Sequence, residues 1–384
     1  MGQRKVVEMM TLELAQMANN EELLEFYRSF PLEGLINIKI DRGRDFFKYF
    51  NLQSDQYLTY ILRFNGKVCG TVSFIIEQVI IEGKPTLIAW ARDLRIANER
   101  KAILSWSEHI QPVFEEIKKA FHVEYFFSTL NFSEEKALNT FIRPRTQKRN
   151  LPKYHLYRKF QLVSAHGFYP WARQSWPNLN IRRGSEKNAE AIVDYIIKSS
   201  ANYSLTSCGK KEDLFDKLER WIGFDWSDFF VAYNHKNEIV GTLMSWTPAG
   251  IQDYLPMRYS FEAHNFRQFL KFANLLTWSR KLTKPYHRIK IESSLNFRTL
   301  NYIRVDHPDV FSSLLAASFH ESKDNEFLLY FRDKKNIHLK APRGWISAEQ
   351  SYGLYCPVLA NESTPDFLHP KFDNIADVET TRII

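Results

Sequence analysis

The sequence predicts an α/β (α+β) chain built from two mixed-sheet domains in tandem. Three observations predict it. Apolar segments with the two-residue period of strands alternate with segments of helical period. The same order of elements runs through the chain twice. Two short matches also recur in the same order, at nearly equal offsets. Val68-Cys69-Gly70-Thr71-Val72-Ser73 echoes Ile239-Val240-Gly241-Thr242-Leu243-Met244-Ser245, and Ser128-Thr129-Leu130-Asn131-Phe132 echoes Ser293-Ser294-Leu295-Asn296-Phe297.

In order, Val6 to Leu14 reads as a strand, and a helix capped by Asn20 follows through Tyr27. Arg44 to Phe50 suits a short helix. Tyr57 to Phe64 and Val68 to Ile76 are strands joined by Asn65-Gly66, a strong hairpin signal. Glu82 to Pro85 turns the chain into Leu87 to Ile96, a buried strand ending in Asp93 and Arg95. A charged turn, Ala97 to Lys101, leads to a long helix with an apolar stripe of Ile103, Trp106, Ile110, Val113, Phe114 and Ile117. Glu124 to Leu130 is the next strand, ending at Asn131. Ser133-Glu134-Glu135 caps a helix through Phe141, and Tyr154 to Val163 is a last strand.

The second half reads strand Leu179 to Arg183, helices Glu186 to Ser200 and Lys211 to Ile222, and strands Phe229 to Tyr233 and Ile239 to Ser245. A long helix over Asn265 to Leu282, a strand over Arg288 to Leu295, a helix over Asp309 to Phe319 and a strand over Phe327 to Phe331 complete it. The predicted organisation is residues 1–163, a Gly-, Pro- and Trp-rich linker 164–178, residues 179–335, and a C-terminal extension 336–384. The extension lacks clear periodicity and is expected to wrap the surface or stay partly disordered.

With 384 residues the chain is long for one core. A hydrophobic fraction of 44% with 25% charged residues is that of a folded globular protein. The net charge of +8 favours anionic partners such as nucleotides, coenzyme phosphates, nucleic acid or a membrane surface. Cys69, Cys208 and Cys356 show no metal spacing, and scattered cysteines fit a reducing compartment. The first residues carry no signal-peptide core, Val6 stands where a myristoylation signal wants Ser or Thr, and no apolar run is long enough to span a membrane. A cytoplasmic location is therefore expected. There is no P-loop, no dinucleotide fingerprint and no serine-hydrolase elbow, and His109, His122, His155 and His166 stand singly.

The element order, with Trp90-Ala91-Arg92-Asp93-Leu94-Arg95-Ile96 before the turn and long helix, resembles the GNAT acyltransferase fold, present twice. The Asp-Leu-Arg-Ile stretch is similar to the strand that precedes the acyl-CoA pyrophosphate loop in that family. The resemblance implies N-acetyltransferase-like transfer of an acyl group from acetyl-CoA or another acyl-CoA to a small-molecule or peptide amine, without a metal. The first copy would bind the donor. It makes Asp93 the candidate base, backbone N–H groups near Leu94, Arg95 and Ile96 the oxyanion donors, Arg100 and Lys101 the phosphate binders, and Asn131 a partner for the pantetheine amide. Asp93 could instead pair with Arg92, Arg95 or Arg100, Asn131 could be a turn or cap residue, and Arg100 and Lys101 a solvated turn. The family's loop glycines are absent. Ala102 and Ser105 are small and leave room for a looser approach of the phosphates, and Phe141 stands where relatives often carry tyrosine. The second copy opens its expected long helix with Asn265 to Phe269 and has no such loop.

A basic run, Arg143, Arg145, Lys148, Arg149, Lys153, Arg158 and Lys159, interleaves Tyr154 and Tyr157. It reads either as a solvated loop or as a tRNA contact. The latter would suit a resemblance to aminoacyl-tRNA-dependent transferases, which also pair two such domains. A catalytically inactive ligand-binding protein is the third alternative.

Overall fold

A computed structural model of the chain describes residues 10–97, 99–142, 151–207, 209–372 and 374–383. The first half holds β1 (Met10–Leu14), α1 (Asn20–Arg28), β2 (Ile36–Asp41), α2 (Lys48–Asn51), β3 (Gln56–Phe64), β4 (Lys67–Ile81) and β5 (Lys84–Ile96). Then come α3 (Arg100–Phe121), β6 (Tyr125–Asn131), α4 (Glu135–Phe141) and β7 (Lys153–Phe168). The second half begins with β8 (Asn180–Arg183), α5 (Ala189–Ser200), β9 (Tyr203–Ser204), α6 (Lys211–Glu219), β10 (Phe229–Tyr233), β11 (Ile239–Trp246) and β12 (Asp253–Tyr259). It continues with α7 (Phe261–Leu275), α8 (Tyr286–Ile289), β13 (Phe297–Val305), α9 (Pro308–Glu321), β14 (Phe327–Asp333), β15 (Trp345–Val358) and β16 (Ile375–Ala376).

Local chemistry sets the first sheet. Asn65 and Gly66 both have positive φ, 48° and 81°, as a two-residue hairpin turn between β3 and β4 requires. Side chains then alternate between faces. Tyr60, Leu62, Val72, Phe74, Ala89 and Phe126 meet α3, while Ile61, Ile75, Ile88, Trp90 and Phe127 belong to the core shared with α1 and the α2 region. On α3 the expected stripe is buried from Trp106 to Ile117, but Ile103 is exposed and Ala102 takes the inward place.

Among the described residues one mixed sheet carries twelve strands in the order β1-β3-β4-β5-β6-β15-β7-β14-β13-β11-β10-β8. This order is nearly a mirror about its centre. β6 of the first half is flanked by β15, the last long strand of the second, and β14 is flanked by β7, the last strand of the first. β7 and β15 pair antiparallel along their length and join the two halves. β2 and β12 form a second link, antiparallel from Ile36–Tyr259 to Asp41–Asp253.

Three expectations are corrected here. The segment expected to wrap the surface or stay disordered supplies β15, in the middle of the sheet. Bulges between Ile346 and Ser347 and between Leu354 and Tyr355 break its alternation, which is why no period shows in the sequence. The strand expected over Arg288 to Leu295 does not form. Tyr286–Ile289 is a short helix stopped at Lys290 with φ 56°, and the strand lies later, in β13. The long helix ends at Leu275 rather than Leu282, as Thr277 takes a positive φ.

The equivalence of the halves is clear in the ladders. Gly70 pairs Ile96 and Thr71 pairs Arg95, and after a bulge Ser73 pairs Arg92. Likewise Gly241 pairs Val305 and Thr242 pairs Arg304, and after a bulge Met244 pairs Asn301. The glycine-threonine echo therefore reflects the duplication. The Ser128–Phe132 and Ser293–Phe297 echo does not: Asn131 ends β6, whereas Asn296 precedes β13, the counterpart of β5.

Candidate active site

The site is built at the bulge in β5. β5 and β6 run parallel and paired from Ile88–Tyr125 to Trp90–Phe127, and no further. Beyond Trp90 the strands part. Ala91 to Ile96 stays paired with β4, while Ser128 to Asn131 pairs with β15. The result is a wedge between β5 and β6 with the start of α3 following its mouth. α3 has no acidic residue in its first turn and no side chain bonded to its leading N–H groups, whose dipole favours an anion, although its N-cap residue, the exposed Glu99, is itself an acid.

Asp93 stands in the bulge with φ 57°, left-handed backbone that costs a non-glycine residue energy. Its carboxylate holds that conformation. It accepts from the Tyr27 hydroxyl at 2.9 Å and from Arg42 Nη2 at 2.6 Å, and Arg92 Nε lies 3.6 Å away. Burial opposes its ionisation, but the guanidinium groups of Arg42, Arg92 and Arg95 outweigh that and hold the carboxyl well below the usual range. Arg42 is itself buried against the rings of Tyr27, Phe46, Tyr49 and Phe50, and donates to Gln252 at 2.8 Å. A bond network thus runs from the second half of the chain to the bulge in the first.

The neighbouring expected residues divide. Leu94, Arg95 and Ile96 line the parted end of β5. The Arg95 guanidinium lies 4.8 Å from the Tyr27 ring centre and donates to its hydroxyl at 3.3 Å. Lys101 is exposed, with its ammonium 5.5 Å from the Phe64 ring centre. Ala102 is fully buried under the sheet, a packing residue. The Arg100 side chain lies outside the described residues, as do Arg143, Arg145, Lys148 and Arg149 of the basic run.

Asn131 is buried at the end of β6. Its Oδ1 accepts from the Ser133 N–H and hydroxyl, both at 2.9 Å, which is the turn-forming role. The chain then presents Glu134, a residue that sequence reasoning treated only as part of a helix cap. Burial pushes its carboxyl up, Arg95 works against this, and Glu33 adds to it. Glu134 also acts electrostatically on Tyr352 of β15, the residue opposite Asn131. Asp93 and Glu134 are thus two carboxyls near Arg95 whose environments drive them apart, one firmly ionised and one proton-seeking.

The second half has the same wedge, filled. β13 and β14 pair in parallel only from Phe297–Phe327 to Leu300–Tyr330. Thr380 Oγ1 then sits between them, donating to Leu300 O at 2.8 Å and accepting from Phe331 N at 3.1 Å. The turn after β13 is Asp306-His307-Pro308-Asp309, and Asp309 lies in the first turn of α9. The first turn of α9 thus carries a carboxylate, whereas that of α3 carries none.

No family model matches the chain, and no curated protein matches it. Solved structures do. Saccharomyces cerevisiae N-myristoyltransferase with bound myristoyl-CoA and inhibitors aligns at TM-score 0.55 and 9% identity, over 98% of this chain and 86% of that one. A tandem GNAT protein from the clavulanic acid biosynthesis pathway aligns at TM-score 0.51 and 6% identity, over 93% of this chain and all of the other, 100%. A probable N-acyltransferase from Enterococcus faecalis aligns at TM-score 0.50 and 10% identity, over 92% and 73%. The fold is a tandem GNAT-like fold, as the element order implied.

Proposed function

We propose that this chain is an acyl-CoA-dependent N-acyltransferase in which the first half, residues 1–163, binds the donor. One observation carries the reading: of two equivalent partings of parallel strands, the first leads to a helix start with no acid in its first turn, Glu99 standing before it at the N-cap, and the second is bridged by Thr380 and leads to Asp309 inside the first turn. In this reading the donor pyrophosphate meets the start of α3, with Arg100 and Lys101 adding charge. The thioester carbonyl lies along the parted edge of β5, where N–H groups of Leu94 to Ile96 are the proposed oxyanion donors. A neutral amine attacks the carbonyl carbon, and the thiolate leaves as the tetrahedral intermediate collapses.

The base proposed for the amine proton is Glu134, directly or through one water. A carboxyl with a raised pKa accepts a proton near neutral pH better than one held far below it. Asp93 is then a positioning residue: its ion pair with Arg42 keeps the bulge that splits β5 from β6. Asn131 shapes the turn that presents Glu134.

Thermal unfolding with acetyl-CoA and longer acyl-CoAs tests this. A donor at 100 times its Kd adds about 2.7 kcal/mol and raises the midpoint by several degrees. No shift with any acyl-CoA at millimolar concentration, with tRNA retained on the column through Arg145 and Arg149, would favour the aminoacyl-tRNA reading instead.

A further inference from the structure

α7 is apolar on two opposite sides. Leu270 and Ala273 face the core. Phe261, Phe269, Phe272, Leu275 and Leu276 share the other side by helical spacing and are exposed, Phe261 at 81%, Phe272 at 60% and Leu275 at 73%. From Phe269 to Leu276 these apolar side chains adjoin, with the exposed Asn265 and Gln268 between them and Phe261, and such a cluster of exposed aromatic and leucine side chains is not ordinary surface. It runs on toward Trp278, whose ring lies 5.8 Å from Tyr169, which in turn stacks on the exposed Trp171 at 5.7 Å.

Beside the stripe lies a concavity of about 590 Å³ whose lining, among the described residues, includes five cations, the buried Arg267 and the exposed Lys271, Lys281, Lys284 and Arg288, and no carboxylate. Among the described residues none of the five forms an ion pair. Arg267 donates to the Thr283 carbonyl at 3.2 Å, and its guanidinium lies 5.9 Å from the Tyr259 ring centre. No helix among the described residues is long and apolar enough to cross a membrane.

We propose that α7 and the basic concavity beside it form a peripheral docking surface for an anionic phospholipid bilayer. The charge complementarity selects the occupant. An interfacial helix needs an apolar face for the acyl boundary, cations at the headgroup level and Trp or Tyr at the margin, and this face has all three. A soluble phosphate would need only the concavity. A nucleic acid would leave Leu275 and Leu276 without a role, and a second copy of the chain would set the four exposed cations against four more.

Co-sedimentation of the full chain with vesicles tests this. Vesicles of phosphatidylcholine with about 30% phosphatidylserine should retain the protein at low salt, and phosphatidylcholine alone should retain it at least tenfold less. Raising the salt to about 0.5 M should release most of it. Lys271→Glu with Lys284→Glu, and separately Phe272→Ser with Leu275→Ser, should each weaken retention about tenfold or more. An unchanged thermal midpoint shows that the variants fold, and Lys284→Glu alone serves if a pair does not. Absence of retention on anionic vesicles overturns the proposal, as does retention that neither pair alters. So does a solution dimer broken by the Phe272 and Leu275 pair without any vesicle binding. RNA oligonucleotide binding that the Lys pair abolishes, with vesicles ignored, overturns it too.

Discussion

Tyr302 occupies in β13 the place that Asp93 occupies in β5. Each follows the residue paired across a two-for-one bulge, Asn301 and Arg92, and each has positive φ, 48° and 57°. The backbone device was duplicated, but its chemistry diverged. In the first half the bulge is held by an ion pair. In the second, a buried tyrosine stands there and the wedge beside it is filled by Thr380.

The Asp93 ion pair should be a large local contribution to stability. Asp93→Asn leaves Arg42 buried without its counter-charge, and breaking such a pair costs about 3–5 kcal/mol. The pH dependence has a fixed sign. The carboxyl is lower in the fold than its ordinary value of 3.8, so its contribution is full above that value and fades as pH falls further. Denaturant unfolding of both proteins should show a gap that is constant from pH 7 to about 5 and narrows below 4. A gap unchanged at low pH would show that the charge is not what holds the bulge.

Glu134 as base predicts a kinetic signature. Glu134→Gln should lower kcat about 10²–10⁴-fold with little effect on KM for the acyl-CoA. In the parent, activity should rise with pH through a carboxyl value above the ordinary 4.5, and the substitution should remove that limb. An unaltered pH profile in the variant would assign the proton to another group.

The filled wedge makes a stability prediction too. Thr380 Oγ1 links Leu300 O to Phe331 N, so Thr380→Val keeps the shape but strands a buried N–H and a carbonyl. The expected loss is about 1–3 kcal/mol. The same segment enters a buried cluster in which Lys217 meets Glu379 at 2.5 Å and Arg382 meets Glu77. Removing residues 378–384 should therefore cost more than the single change, measured by the same unfolding curves.

What the sequence made legible followed the simplest physics. The Asn65-Gly66 turn, the β3–β5 meander and the inward face of α3 from Trp106 onward were all readable as periodic apolar patterns. β13 was not, because Arg298, Asn301 and Arg304 interrupt its pattern with polar groups that the fold satisfies at long range. Arg304 is almost fully buried, donating to Ser200 Oγ at 2.9 Å and pairing with Asp377. At the site, Asp93 was visible as a charge ending an apolar strand. Its true partner, Arg42, lies 51 positions away with no local signal. Glu134 was masked by its position at a helix start, where an acid needs no other explanation.

The exchange of β7 and β15 bears on how the chain unfolds. Residues 1–178 alone would carry β7 without β14 or β15, leaving β6 with an unpaired edge and Leu354 and Cys356 missing from the core they share with Phe127. Unpaired inner edges and lost core contacts both disfavour independent folding. The intact chain is expected to melt in one transition, and the fragment to lack near-ultraviolet circular dichroism. Co-expressed fragments 1–178 and 179–384 should copurify, since β7 and β15 supply the pairing between them. Two separate melting transitions, or a fragment that folds by itself, would mean that the central pair of strands joins two finished domains instead of completing each.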